Sequence, residues 1–111
     1  MDSSQTIFAL SSGSLPSAIS VVRISGPSTK KALSLLIDKI PKPRYMTYSE
    51  IKSPKTKEII DIGLIVYFPS NLSMTGEDLA EFHLHGSVAV IDDFLLALSS
   101  IAGLRPAEAL S

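Results

Sequence analysis

Three residues with side chains that bind ligands or metals, Glu81, His83 and His85, alternate with apolar residues between positions 79 and 85. This alternation predicts a β-strand, on which every second side chain points to the same face, so the three polar side chains share one face. Imidazole and carboxylate groups bind zinc, and a three-ligand site with an open position activates water. Side chains that stand parallel on one strand do not readily surround a tetrahedral ion. A metal site is therefore the weaker interpretation, and a small-ligand site is the stronger one.

A second candidate is Arg23, the single charge in an apolar and β-branched run over residues 18–25 that predicts another strand. A guanidinium that is partly withdrawn from water needs a partner, because an unpaired charge away from water is very unfavourable. A carboxylate on a neighbouring strand would make Arg23 part of a structural ion pair, whereas a bound ligand would make it a recognition group. The residues alone leave both interpretations open.

Several classes of chemistry are excluded by what the chain lacks. It has no cysteine, which excludes disulfides and thiolate metal sites. It also has no G-x-x-x-x-G-K-[ST] loop, so this segment alone does not hydrolyse nucleotides. With ten basic and eleven acidic residues, the chain lacks the basic excess of a main nucleic-acid platform. We predict no catalytic acid, base or nucleophile here, and no signal peptide or membrane span.

The candidate residues must be positioned by strands that alternate with two helices. An apolar stripe after Gly26 predicts a first helix that continues to Ile40 and is stopped by Pro41. Ser87 is a suitable N-cap for a second helix that runs to about Ala102. About five strands and two helices predict an α+β domain with a layer of helices on a sheet. Strands are predicted at residues 6–10, 18–25, 45–52, 58–68 and 79–85, with 45–68 forming a hairpin that has a polar tip at 53–57.

Two of these elements carry further expectations. In the strand 58–68, alternate apolar residues from Ile60 to Phe68 share one face, with Asp61 and Gly63 on the other, which predicts a central strand. The second helix is apolar almost all round, so we expect it to be buried on more than one side, by a partner subunit or by another layer of a longer protein. The rings of Tyr45, Tyr48 and Tyr67 could stack on a planar ligand, although such residues more often belong to a core or its rim.

Three blocks of sequence resemble a known family. They are T-G-E-D-L-A-E-F-H-L-H-G at 75–86, V-V-R-I-S-G at 21–26 and P-K-P-R-Y at 41–45. Their order and spacing are similar, over nearly the whole chain, to the N-terminal domain of the MnmE (also called TrmE) family of tRNA modification GTPases. Two departures are serine-rich residues 12–18, where the family is glycine-rich, and Ser87, where it has a second glycine.

The resemblance implies a ligand and a set of site residues. The family's domain binds formyl-tetrahydrofolate, and its fold is similar to the folate-binding domains of one-carbon enzymes. Matched by motif, the folate-contacting residues are Arg23 in V-R-I-S-G and Glu81 in E-D-x-x-E, and a further lysine of the family falls beyond Ser111. We add His85, because it shares the strand face of Glu81 and precedes a helix N-terminus.

The resemblance also implies a setting for residues 1–111 as one domain of a longer protein. A helical region and a G domain, which would bind GTP, magnesium and potassium, would follow. The expected partners are a second copy of the chain, an MnmG-type flavoprotein and tRNA. The tRNA would be modified at its wobble uridine in the cytoplasm and would bind chiefly outside this domain. The alternatives are a purely structural dimerisation scaffold and, more weakly, a Glu/His metal-binding module.

Overall fold

Six strands form one mixed sheet in the computed structural model, which describes residues 5–11 and 17–107. The strand order is β3-β4-β5-β2-β1-β6, and every neighbouring pair is antiparallel except β1 and β6, which are parallel. The α+β prediction is confirmed. The strands are β1 (Thr6–Leu10), β2 (Ser17–Ser25), β3 (Thr47–Lys52), β4 (Ile59–Phe68), β5 (Leu79–Gly86) and β6 (Leu104–Pro106), and the helices are α1 (Thr29–Leu36) and α2 (Val88–Ser99).

Both helices pack on the same face of the sheet. Phe82 of β5 and Phe94 of α2 meet at the centre of this layer, with ring centroids 4.9 Å apart. Burial of such side chains supplies most of the stabilisation of a domain of this size. The core also contains Phe8, Val22, Ile24, Ala32, Leu33, Leu36, Ile51, Ile65, Leu84, Ile91 and Leu98.

The opposite face of the sheet, which we call the open face, has no helix packed on it within the described residues. The strand registers place on it the side chains that alternate with the core residues. The open face carries Tyr48 of β3, Ile62, Leu64 and Val66 of β4, Glu81, His83 and His85 of β5, and Ile19, Val21 and Arg23 of β2.

Strand β4 differs from its prediction in two respects. It lies next to the edge strand β3, so β5 and β2 are the central strands. Its face with Ile62, Leu64 and Val66 is the open face, whereas Ile65 and Tyr67 pack in the core under the helices. The strand is apolar on both faces, and alternation therefore could not show which face the helices would cover.

The first helix is shorter than predicted, and a sixth strand was missed. Helix α1 ends at Leu36, because Ile37 is already extended (φ −134°, ψ 156°) although its side chain stays buried in the core. Apolar residues continue the stripe to Ile40, but the backbone must turn there toward the edge strand β3. The segment from Leu104, where no strand was predicted, forms β6, which pairs with β1. Residues 12–16 and 108–111, which include part of the serine-rich departure, lie outside the described residues.

Helix α2 begins as predicted, because the Ser87 hydroxyl accepts a hydrogen bond from the Val90 N–H at 3.1 Å. It ends at Ser99, three residues before the predicted end. Among the described residues its packing contacts lie on one side only, and Val88 and Leu96 remain 50% and 72% exposed. No helix among residues 5–11 and 17–107 combines the length and the apolar character needed to span a bilayer.

Candidate functional site

Arg23 and Glu81 stand directly opposite each other on the neighbouring strands β2 and β5. The guanidinium Nε and Nη2 both donate to one carboxylate oxygen, Oε2, at 2.9 and 2.5 Å. The Arg23 side chain is 49% exposed, whereas that of Glu81 is 19% exposed. The structure thus brings together two residues that are 58 positions apart in the chain.

The second carboxylate oxygen of Glu81, Oε1, lies 3.3 Å from Nε2 of His83. Partial burial by itself raises the pKa of Glu81, but the hydrogen bonds and charges of Arg23 and His83 outweigh it and hold that pKa below its usual value. The carboxylate is therefore ionised at neutral pH and acts only as a hydrogen-bond acceptor. It retains acceptor capacity at Oε1 for donors on a ligand.

His85 belongs to a second polar pair on the same side of β5. Its Nδ1 lies 2.9 and 3.1 Å from the two carboxylate oxygens of Asp61, and its backbone N–H donates to the same carboxylate at 2.8 Å. Because a carboxylate only accepts, Nδ1 of the neutral ring carries the proton, and Nε2 is then an acceptor. The His85 side chain is 70% exposed, so this acceptor is accessible.

Glu81 and His85 stand at different ends of the open face. Four residues of an extended strand span about 13 Å, which separates Glu81 from His85. The described part of the chain contains no group of three or more His, Cys, Asp or Glu residues that could hold a metal ion. Of the two histidines, only His83 approaches Glu81, because His85 pairs with Asp61.

Two cavities lie elsewhere on the surface. One of about 400 Å³ is lined by Pro27, Ser70, Glu77 and Asp78. It adjoins the end of β2, since the Ser25 hydroxyl donates to the Glu77 carboxylate at 3.1 Å. A larger cavity of about 570 Å³ lies on the helix side, between the hairpin tip and α2, and does not include Arg23, Glu81 or His85.

Sequence reasoning did not single out Asp61 or the residues around the smaller cavity. Asp61 stands alone in an apolar strand, and such a charge, like Arg23, is a signal that a partner exists. Glu77 and Asp78 belong to the sequence motif at 75–86, but no role or position was predicted for them. Whether Arg23, Glu81 and His85 bind a ligand stays a prediction.

Comparison with known proteins gives consistent matches. The family described as "GTP-binding protein TrmE N-terminus" matches residues 6–109. The chain is 49% identical over 104 residues to the mitochondrial 5-taurinomethyluridine-[tRNA] synthase subunit of Danio rerio, covering 94% of this chain and 21% of that protein. It is 50% identical over 104 residues to the tRNA modification GTPase MnmE of Brucella anthropi, covering 94% and 23%. For MnmE of Azorhizobium caulinodans, identity is 48% over 107 residues, covering 96% and 25%.

The chain therefore spans about a fifth to a quarter of the length of these relatives. The family match covers nearly all of the sequence, including the strands that carry Arg23, Glu81 and His85. This chain belongs to the TrmE N-terminal family.

Proposed function

We propose that this chain is the N-terminal part of a tRNA modification GTPase, and that it binds a formyl-tetrahydrofolate and forms a homodimer. Relatives that are about 50% identical to this chain are named as tRNA modification GTPases, which supports the proposal that the chain is part of such a GTPase. GTP, magnesium and potassium would bind in the larger part of such a protein that this chain does not span. The complete protein would act in the cytoplasm with an MnmG-type flavoprotein on tRNA.

The Arg23–Glu81 pair on the open face is the observation that carries the folate proposal. A reduced pterin presents an amino group and ring N–H groups side by side, and an ionised carboxylate is the acceptor that suits them. Glu81 is ionised and keeps acceptor capacity at Oε1, which only His83 contacts among the described residues. The chemistry of these residues therefore fits the pterin end of the ligand.

The neighbouring groups suit the remaining parts of an elongated ligand. Arg23 uses Nε and Nη2 on Glu81, which leaves both N–H donors of Nη1 for a carbonyl or carboxylate of the ligand. His85, about 13 Å along the strand, presents its Nε2 acceptor at the other end of the open face. These residues bind and orient the one-carbon donor, and none of them is assigned a role in bond making or breaking.

Calorimetric titration with formyl-tetrahydrofolate tests this proposal. Glu81→Gln keeps the shape of the side chain and removes its charge, so we expect an affinity loss of about tenfold or more, as for a lost hydrogen bond to a charged group. Glu58→Gln, at the exposed hairpin tip, is the matched control and should bind as the wild type does. Equal affinity of both variants, or no binding by the wild-type chain, would contradict the folate proposal.

The homodimer is proposed to use the end of the open face around Ile19 and Ile62. These residues are 58% and 38% exposed although they are apolar. Burying such surface against a second copy removes it from water, and His85, which pairs with Ile19 across β2 and β5, would then lie beside the interface. The alternative function, a purely structural scaffold, predicts a dimer that does not bind folate.

Sedimentation over a concentration series tests the dimer. Ile19→Glu places a charge in the proposed interface and should shift the protein to monomer at concentrations where the wild type is dimeric. Ile59→Glu is the control, because Ile59 is similarly exposed (51%) but lines the cavity on the helix side. A wild type that stays monomeric at high concentration, or equal dissociation of both variants, would count against this interface.

A further inference from the structure

The stretch that leads into β3, residues 39–48, concentrates positive charge that the chain as a whole lacks. Residues 39–48 contain Lys39, Lys42 and Arg44 and no acidic residue, whereas the complete chain has a net charge of −1. Every residue from 42 to 46 is exposed. The near-neutral composition of the whole chain therefore conceals a local basic surface. None of the ion pairs described for the strands includes Lys39, Lys42 or Arg44.

A tight turn presents these cations, and we call residues 42–45 the basic turn. The Tyr45 N–H donates to the Lys42 carbonyl at 3.1 Å, with Pro43 second in the turn and Arg44 third at φ 71°. This is the pattern of a type II turn, in which the third residue has positive φ and is usually glycine. The Arg44 N–H donates to the Tyr67 carbonyl at 2.8 Å, which holds the basic turn against the end of β4.

Two exposed aromatic rings accompany the cations. The Tyr45 side chain is 58% exposed, and the Lys42 ammonium lies 4.9 Å from its ring centroid. Tyr48 is 68% exposed and stands on the open face, opposite Leu64 of β4. Exposed rings of this kind are unfavourable in water, but they provide platforms on which unpaired nucleobases stack.

We propose that the basic turn, together with Tyr48, is a contact surface for single-stranded RNA. Lys42 and Arg44 bind phosphates, while Tyr45 and Tyr48 stack on unpaired bases. An acidic protein surface would satisfy the cations but would leave the two rings exposed, so RNA is the partner that uses both features. This surface is an addition to the proposed function and does not depend on folate binding.

The position of this surface relates it to the candidate site. Tyr67, which accepts the hydrogen bond from Arg44, is adjacent in β4 to Val66, and Val66 pairs with Glu81 across β4 and β5. Neighbouring strands are about 4.8 Å apart, so the basic turn lies roughly two strand spacings from Glu81. An RNA loop held on the turn would reach the face on which the Arg23–Glu81 pair stands.

Fluorescence anisotropy with a labelled RNA hairpin that has an unpaired loop tests the proposal on this chain. At about 50 mM salt, Tyr45→Ala should weaken binding about fivefold or more, as expected for one lost stacking contact. Arg44→Gly should weaken binding and reduce the slope of log affinity against log salt by about 0.7, the contribution of one phosphate contact on a single strand.

Lys57→Gly is the matched control for Arg44→Gly. Lys57 is also an exposed cation with positive φ (64°), but it lies at the hairpin tip, at the opposite end of β3. Both variants remove one charge and place glycine where the backbone favours it, so neither should lower the melting temperature. We expect Lys57→Gly to retain wild-type RNA affinity and salt dependence, and both variants to titrate with formyl-tetrahydrofolate as the wild type does.

Four results would overturn the proposal: no binding of the hairpin by the wild type at low salt, equal losses in Arg44→Gly and Lys57→Gly, equal affinity for a fully paired RNA of the same length, or equal binding of polyglutamate. The last result would identify an acidic protein as the partner. A failure of folate binding would not alter these measurements, because they use a different ligand and different residues.

Discussion

Neutralising the Arg23–Glu81 pair, one residue at a time and then together, measures how much the pair stabilises the sheet. Two unit charges about 4 Å apart attract by roughly 1 kcal/mol in water and more at a protein surface, but exposed pairs typically contribute only about 0.2–1 kcal/mol after screening and side-chain ordering. Arg23 is half exposed, and both of its bonds go to a single oxygen of Glu81 rather than one to each. We therefore expect a coupling energy of about 1 kcal/mol or less.

The assay is a double-mutant cycle with Arg23→Gln and Glu81→Gln, in which urea unfolding is followed by circular dichroism. The coupling energy should fall toward zero in 1 M NaCl, where the screening length is only about 3 Å. A coupling above about 2 kcal/mol that persists in 1 M NaCl would refute this reasoning. The pair would then be a structural tie between β2 and β5, and the argument that Glu81 is available to a ligand would lose its basis.

Two further predictions concern pH and packing. The folded-state pKa of Glu81 lies below its usual value of 4.5, so its ionised form stabilises the fold above that pH. The difference in unfolding free energy between wild type and Glu81→Gln should be complete at pH 7, begin to fall below about pH 4.5 and disappear as pH falls through the lower folded-state pKa, and a difference that grew in acid would contradict the assignment. Gly63→Ala should destabilise the protein by about 2–3 kcal/mol in urea unfolding, because the added Cβ would clash with the His83 carbonyl oxygen. Gly76→Ala, where the added Cβ meets open space and only the positive φ (79°) opposes it, should lose about 1 kcal/mol, and an equal loss at both sites would show that the close approach at Gly63 is not the cause.

Much of the local structure could be predicted from the sequence. Alternation over residues 79–85 correctly placed Glu81, His83 and His85 on one face of a strand, because side-chain direction on a strand follows directly from residue parity. The Ser87 cap was also correct, since it is decided within one turn of helix. Three quoted blocks were sufficient to predict the family, which the match over residues 6–109 confirmed.

Other features depend on residues far apart and left no local signal. Helix α1 ends at Leu36 because the backbone must turn there toward the edge strand β3. The short strand β6 forms because it pairs with β1, at the other end of the sequence. The covered face of β4 depended on the helices that pack on it, because both of its faces are apolar.

The sequence by itself determined which side chains could do chemistry and on which face of their own strand each one stands, because parity and capping are local. Only the tertiary structure decided which of them meet. Register between strands aligned Arg23 with Glu81, and the neighbouring strand β4 supplied Asp61 to His85, so that one polar face became two separate pairs. Register is set by the packing of the whole sheet against its helices, and no single strand contains that information.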